Sequence, residues 1–136
     1  MGGRGAFSSR GGFTKWEYRS TGEVIAGTKV IEKIGSKSAS LPQFSNTPNT
    51  MYILKSNGRY TELGVYGPDR RIRKVIDITH RHTNRTKHGI KEVLKKGVAH
   101  IHHIRGGRES NVHYLTKKDI KLYGKIILAM GGKIRE

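Results

Sequence analysis

The chain has 136 residues, with 27 lysines and arginines against 10 acidic residues, a formal charge of +17, seven histidines and no cysteine. That length supports one modest core rather than two, and the lack of thiols excludes both a disulfide scaffold and a cysteine-ligated zinc site. So large a cationic excess repels itself in the compact state and calls for a polyanionic partner; with no long apolar stretch and no basic amphipathic helix, nucleic acid is favoured over a membrane face.

Residues 1–13 place Arg4 and Arg10 among Gly2, Gly3, Gly5, Gly11 and Gly12. This composition buries too little apolar surface to offset the entropy of ordering it, so a flexible Gly/Arg-rich tail is expected, suited to loose contact with phosphates. It has no apolar segment of the kind a secretion signal needs. Residues 14–136 are expected to form a single α+β domain.

Within that domain, Phe13, Trp16 and Tyr18 lead into two short strands, residues 23–26 and 29–34. Residues 36–50, rich in Ser, Pro, Asn and Thr, read as a long ordered loop. Residues 51–55 form a strand that turns at Asn57-Gly58, the strongest short hairpin signal because both residues tolerate positive φ. The return strand is 60–66, Gly67-Pro68-Asp69 turns again, and 71–79 supplies a third strand of a meander. A polar loop through residues 83–88 and a short helical turn over 89–96 are expected next, then strands at 98–105 and 111–115 with a turn at Gly106-Gly107. The last element is the clearest. Thr116 with Asp119 three residues on makes a capping box, Ile120, Tyr123, Ile126, Ile127 and Met130 make an apolar stripe, and Gly131-Gly132 stops the helix. Gly124 inside it points to close packing against the sheet. The expected fold is thus a small antiparallel β-meander sheet with one C-terminal helix packed on it.

Six histidines gather at two places: His80, His82 and His88, then His100, His102 and His103. Residues two apart on a strand share a face, so His80 and His82 project together, as do His100 and His102. If those strand ends are neighbours, four imidazoles converge. Three chemistries stay open. Neutral His80, His82, His100 and His102 could hold a divalent metal such as zinc, with Asp77 or Glu109 adding an oxygen. The same four histidines could act as acid and base in phosphodiester cleavage, with Arg81 and Lys87 stabilising the developing charge. Or they could line an anion-facing surface without reacting. Asp77 falls on the face opposite His80 in a regular strand, which favours a salt bridge; a bulge before His80 would let it orient an imidazole.

The basic residues Arg70, Arg71, Arg73 and Lys74, continued by Arg81, Arg85 and Lys87, make a phosphate-tracking surface with histidine interleaved. No standard base-reading motif accompanies them, so phosphate contact is expected rather than sequence readout.

Several segments taken together carry a resemblance: Gly2-Gly3-Arg4-Gly5-Ala6, Phe44-Ser45-Asn46-Thr47-Pro48-Asn49-Thr50, Val65-Tyr66-Gly67-Pro68-Asp69-Arg70-Arg71, Ile76-Asp77-Ile78-Thr79-His80, and His100-Ile101-His102-His103. They resemble small proteins or C-terminal domains encoded beside the minor head and portal genes of phages and prophages of Gram-positive bacteria. Val98-Ala99 precede His100 where such proteins have a Pro-His-Xaa-His form. The resemblance implies a role in phage head assembly, in the virion or the host cytoplasm, with DNA or RNA and head or portal proteins as partners. It also implies the alternative, a ribonuclease toxin domain. The leading expectation is a nucleic-acid-binding accessory protein, and the alternative a His-dependent nuclease, with or without metal.

Overall fold

A computed structural model describes residues 7–8, 18–35, 40–80, 82–86, 89–106 and 108–135, with backbone alone for 7–8, 82–86, 89–93 and 110–111. The strands are β1 (Phe7–Ser8), β2 (Tyr18–Ile25), β3 (Thr28–Lys33), β4 (Phe44–Ser45), β5 (Met51–Ser56), β6 (Arg59–Tyr66), β7 (Ile72–Asp77), β8 (His82–Thr86), β9 (Gly89–Leu94), β10 (His100–Arg105) and β11 (Arg108–Tyr114). One helix follows, α1 (Lys117–Ala129). The fold is α+β, as expected from the sequence. Nine strands form one sheet in the order β11-β10-β7-β6-β5-β3-β2-β1-β4, and β8 pairs with β9 separately.

Local chemistry explains most of these boundaries. Asn57 and Gly58 both take positive φ, 54° and 77°, and join β5 to β6 as the Asn-Gly pair requires. α1 begins with a full capping box: the Asp119 N–H donates to Thr116 Oγ1 at 3.2 Å, and the Thr116 N–H donates to Asp119 Oδ2 at 3.0 Å. It ends in a Schellman motif, with the Gly132 N–H donating to Ile127 O (2.9 Å) and that of Gly131 to Leu128 O (3.0 Å). Gly124 is buried against Ile120 and Ile134 of the C-terminal segment, rather than against the sheet.

Three local expectations are corrected. Residues 82–86 and 89–94 form the β8–β9 ladder where a polar loop and a helical turn were expected. Ile90, Val93 and Leu94 fit a helical spacing, but their β-branched content also suits a strand. The 36–50 loop contains β4, and β3 runs parallel to β5, so the sheet is antiparallel except at that one pair. The tail expected at 1–13 contains β1; its other residues, like Trp16, lie outside the described residues.

β4 gives the sheet its shape. It pairs with β1 at the far end of the strand order, yet it also meets the start of β7: Phe44 bridges Arg71, the Ser45 N–H donates to Arg70 O at 2.8 Å, and the Ile72 N–H donates to Gln43 O at 2.9 Å. The strands from β7 round to β4 therefore close on themselves. Tyr18, Ile31, Tyr52, Leu54, Tyr66 and Ile72 fill the enclosed face. A buried phenol needs a partner, and these find one in the crossing segment. The Tyr18 hydroxyl donates to Ser40 O and that of Tyr66 to Pro42 O, both at 2.6 Å, while Tyr52 Oη lies 3.0 Å from Ser45 Oγ. The opposite face carries Val30, Ile53, Leu63, Ile76 and Ile101, covered by Tyr123, Ile126, Ile127 and Met130 of α1. Among the described residues no helix is long and apolar enough to cross a membrane.

Candidate functional site

Residues directly opposite in neighbouring antiparallel strands point to the same face. Glu62 on β6 stands opposite Asp77 on β7, Asp77 opposite His100 on β10, and His100 opposite Tyr114 on β11. His102, two residues along, shares the face of His100, with ring centroids 5.1 Å apart. Asp77 and His100 are buried and His102 is half-buried. One donor atom from each of Asp77, His100 and His102 lies within 4.8 Å of the other two.

Each member is held from behind. β7 stops at Asp77, and the chain turns so that Asp77 Oδ1 accepts the N–H groups of Thr79 (2.7 Å) and His80 (2.9 Å). The other oxygen lies 2.9 Å from Nδ1 of His80, whose ring is otherwise exposed. His100 Nδ1 lies 3.2 Å from Val98 O. A carbonyl can only accept, so Nδ1 carries the proton and Nε2 is the basic nitrogen of that ring. His102 Nδ1 lies 2.5 Å from Glu109 Oε1 and takes the same tautomer when neutral.

Electrostatics divides the two carboxylates. Burial works to raise Asp77, but the hydrogen bonds from His80 and Thr79 outweigh it and hold the group below its ordinary range. Glu62 is half-buried; burial, and then the Asp77 charge, push it up to about 7, against a pull from His80 in the other direction.

A cavity of about 170 Å³ lies alongside, lined by Gln43, Phe44, Arg71, Arg73, Ile104 and Glu109, among others. Glu109 belongs to both features, bonding His102 while lining the cavity. The Arg71 guanidinium lies 5.3 Å from the centre of the Phe44 ring. Asp69 partly neutralises this rim, pairing with Arg73 at 2.7 Å and more loosely with Arg71 at 3.9 Å.

The expected site residues separate accordingly. His100 and His102 come together. His80 joins them by hydrogen bonding to Asp77 beyond the end of β7, not by strand parity, and without the bulge that parity would have required. His82 lies in β8, not on one strand with His80; its side chain, that of Arg85, and the whole of Arg81, Lys87 and His88 lie outside the described residues. The basic run is split. Arg71 and Arg73 line the cavity, Arg70 is exposed in the preceding turn with φ of 68°, and Lys74 points to the helix side, its Nζ donating to the Tyr123 hydroxyl at 3.1 Å. His103 is also on that side, its Nε2 3.0 Å from Nε2 of His113. Burial, then His113 and Lys74, lower the pKa of His103.

Two features escaped the sequence reading. Glu62 was hidden because counting back from the Gly67-Pro68-Asp69 turn misses its partner: a register shift between Val65 and Tyr66 is what brings it opposite Asp77. Lys117, Lys118, Lys121 and Lys125 form a second exposed cationic surface on α1; their i, i+4 spacing was present in the sequence but was overshadowed by the apolar stripe.

No known family model matches the chain, and no curated protein or solved structure matches it.

Proposed function

We propose that the protein binds nucleic acid through its phosphates and cleaves a phosphodiester bond at the Asp77–His100–His102 group. The observation that carries this reading is the meeting of two imidazoles and a carboxylate beside a cavity rimmed by Arg71 and Arg73. A phosphate-binding surface alone requires cations; it does not require a buried carboxylate and a buried imidazole at the same spot, which are costly to hold unless used or mutually satisfied. In the proposed reaction water attacks phosphorus and loses a proton to His80, whose ring is oriented by Asp77 as a general base is oriented by a carboxylate. The bond from phosphorus to the leaving sugar oxygen breaks, and that oxygen takes a proton from solvent or the imidazolium. Half-buried His102 would stabilise the charge growing on a non-bridging oxygen, with buried His100 packed beside it, the two ring centroids 5.1 Å apart.

The charge of +17 favours a second reading, binding without cleavage, as an accessory protein of a phage head contacting packaged nucleic acid. The phage setting is part of the proposal and rests on the motif resemblance.

Purified protein incubated with labelled RNA and DNA, with and without chelator, separates the two. Cleavage that disappears in His80→Ala and His102→Ala supports the nuclease. Tight, salt-sensitive binding with every substrate left intact overturns it in favour of the accessory role.

A further inference from the structure

We infer that Asp77, His100 and His102 form a binding site for one divalent transition-metal ion of the zinc, iron or manganese class. The donor set is two imidazole nitrogens and one carboxylate oxygen, without sulfur, which suits those ions and leaves coordination positions open. It is smaller than the set expected from the sequence, four histidines with an oxygen from Asp77 or Glu109, because β7 ends before His80 and Asp77 takes the place opposite His100.

Three independent features of the surroundings point to a metal rather than to a chance meeting of polar groups. Metal-binding histidines nearly always donate their second ring N–H to a carbonyl or carboxylate, which fixes the tautomer and raises the basicity of the ligating nitrogen. Both rings do so here, His100 to the Val98 carbonyl and His102 to the Glu109 carboxylate. The carboxylate ligand is likewise held, by two backbone N–H groups and by the His80 ring, so it meets the ion already oriented. Finally, the ligands sit on adjacent strands that are each paired on both sides, where the ladder fixes their spacing. With bonds of about 2.0–2.2 Å, ligand atoms around a tetrahedral ion lie roughly 3.4 Å apart. Donor atoms now within 4.8 Å need close by little more than an ångström at most, a movement on the scale of small side-chain rotations.

The site stands on this ligand geometry. Its use, holding a phosphate oxygen and lowering the pKa of a bound water, rests on the phosphodiesterase reading above.

The test is calorimetric titration of tag-free, chelator-stripped full-length protein with zinc sulfate, with magnesium chloride as the comparison. One zinc per chain is expected at micromolar affinity or better, with magnesium far weaker. Asp77→Asn and His102→Ala should each weaken zinc by at least a hundredfold, and Glu109→Gln, which only loosens the His102 ring, by about tenfold. Circular dichroism of each variant checks that it is folded; because Asp77 is buried, half-buried His102 is the decisive substitution. His103→Ala, on the opposite face, should leave the titration unchanged. The inference is overturned if zinc does not bind, if binding survives His102→Ala in a folded protein, or if it is lost in His103→Ala. Metal bound normally by a protein that cuts no nucleic acid would sustain the site and remove the proposed reaction.

Discussion

Glu62 and Asp77 stand opposite one another in the β6–β7 ladder, two carboxylates on one face of the sheet. Asp77 has the hydrogen bonds that keep it ionised, and Glu62, pushed up by burial and by that charge, titrates near neutrality.

The consequence is a pH-dependent stability. With a folded pKa of about 7 against an ordinary 4.5, Glu62 holds its proton more tightly in the native state. Its contribution is therefore complete below pH 4.5 and is lost as pH rises to about 7. In chelator-treated protein, Glu62→Gln should remove this loss and raise stability at pH 8 by on the order of 2 kcal/mol, with little effect at pH 4. Urea melts at the two pH values test this; equal shifts at both would show that the carboxylate pair is not the cause.

The proposed nucleic-acid binding should respond to the rim of the cavity. Affinity falls with salt with a log–log slope of roughly −0.9 per duplex phosphate neutralised. Replacing Arg71 and Arg73 with alanine should flatten that slope more than replacing Lys29 and Lys33. Asp69→Asn should tighten binding, since Asp69 occupies the guanidinium of Arg73. Lys74→Ala should leave the slope alone and lower stability, because Lys74 lies over the Tyr123 ring. Fluorescence anisotropy across a salt series measures all four.

Gly132 should tolerate no side chain. A Cβ there would lie 2.7 Å from Ile78 Cγ2 and 2.9 Å from Ile127 Cγ2. Gly132→Ala should cost about 1–3 kcal/mol through overpacking, read as a lower denaturation midpoint at constant slope. Ile78 adjoins Asp77, so the proposed cleavage and zinc binding should weaken as well; an unchanged midpoint would show that Ile78 yields freely.

Thr116→Ala should remove half of the capping box and cost about 1 kcal/mol. The same melts detect it, and Thr116→Ser should restore most of the loss.

Legibility in the sequence followed the range of the interactions involved. α1, its cap and its stop depend on residues within four positions of one another and were readable, as was the Asn57-Gly58 hairpin. β8 and β9 were missed because their connection at Lys87-His88 has no turn chemistry and because Ile90 and Val93 satisfy two periodicities at once. The pairing of His100 with His102 follows from strand alternation alone. Their meeting with Asp77 depends on β10 lying beside β7, an order that composition and spacing leave open until the sheet is assembled. His80 could not be placed by parity because the strand ends three residues before it, where Asp77 captures the backbone.

Among the described residues the ring of strands is joined at its last seam by two main-chain hydrogen bonds, between Gln43–Ser45 and Arg70–Ile72. A joint so brief has little cooperative protection, so the amides of Ser45 and Ile72 should take up deuterium well before those of Leu54 or Leu63 in the long ladders. Arg71 sits on this clasp. Its release would slacken one wall of the cavity while leaving Asp77 and His100 in register.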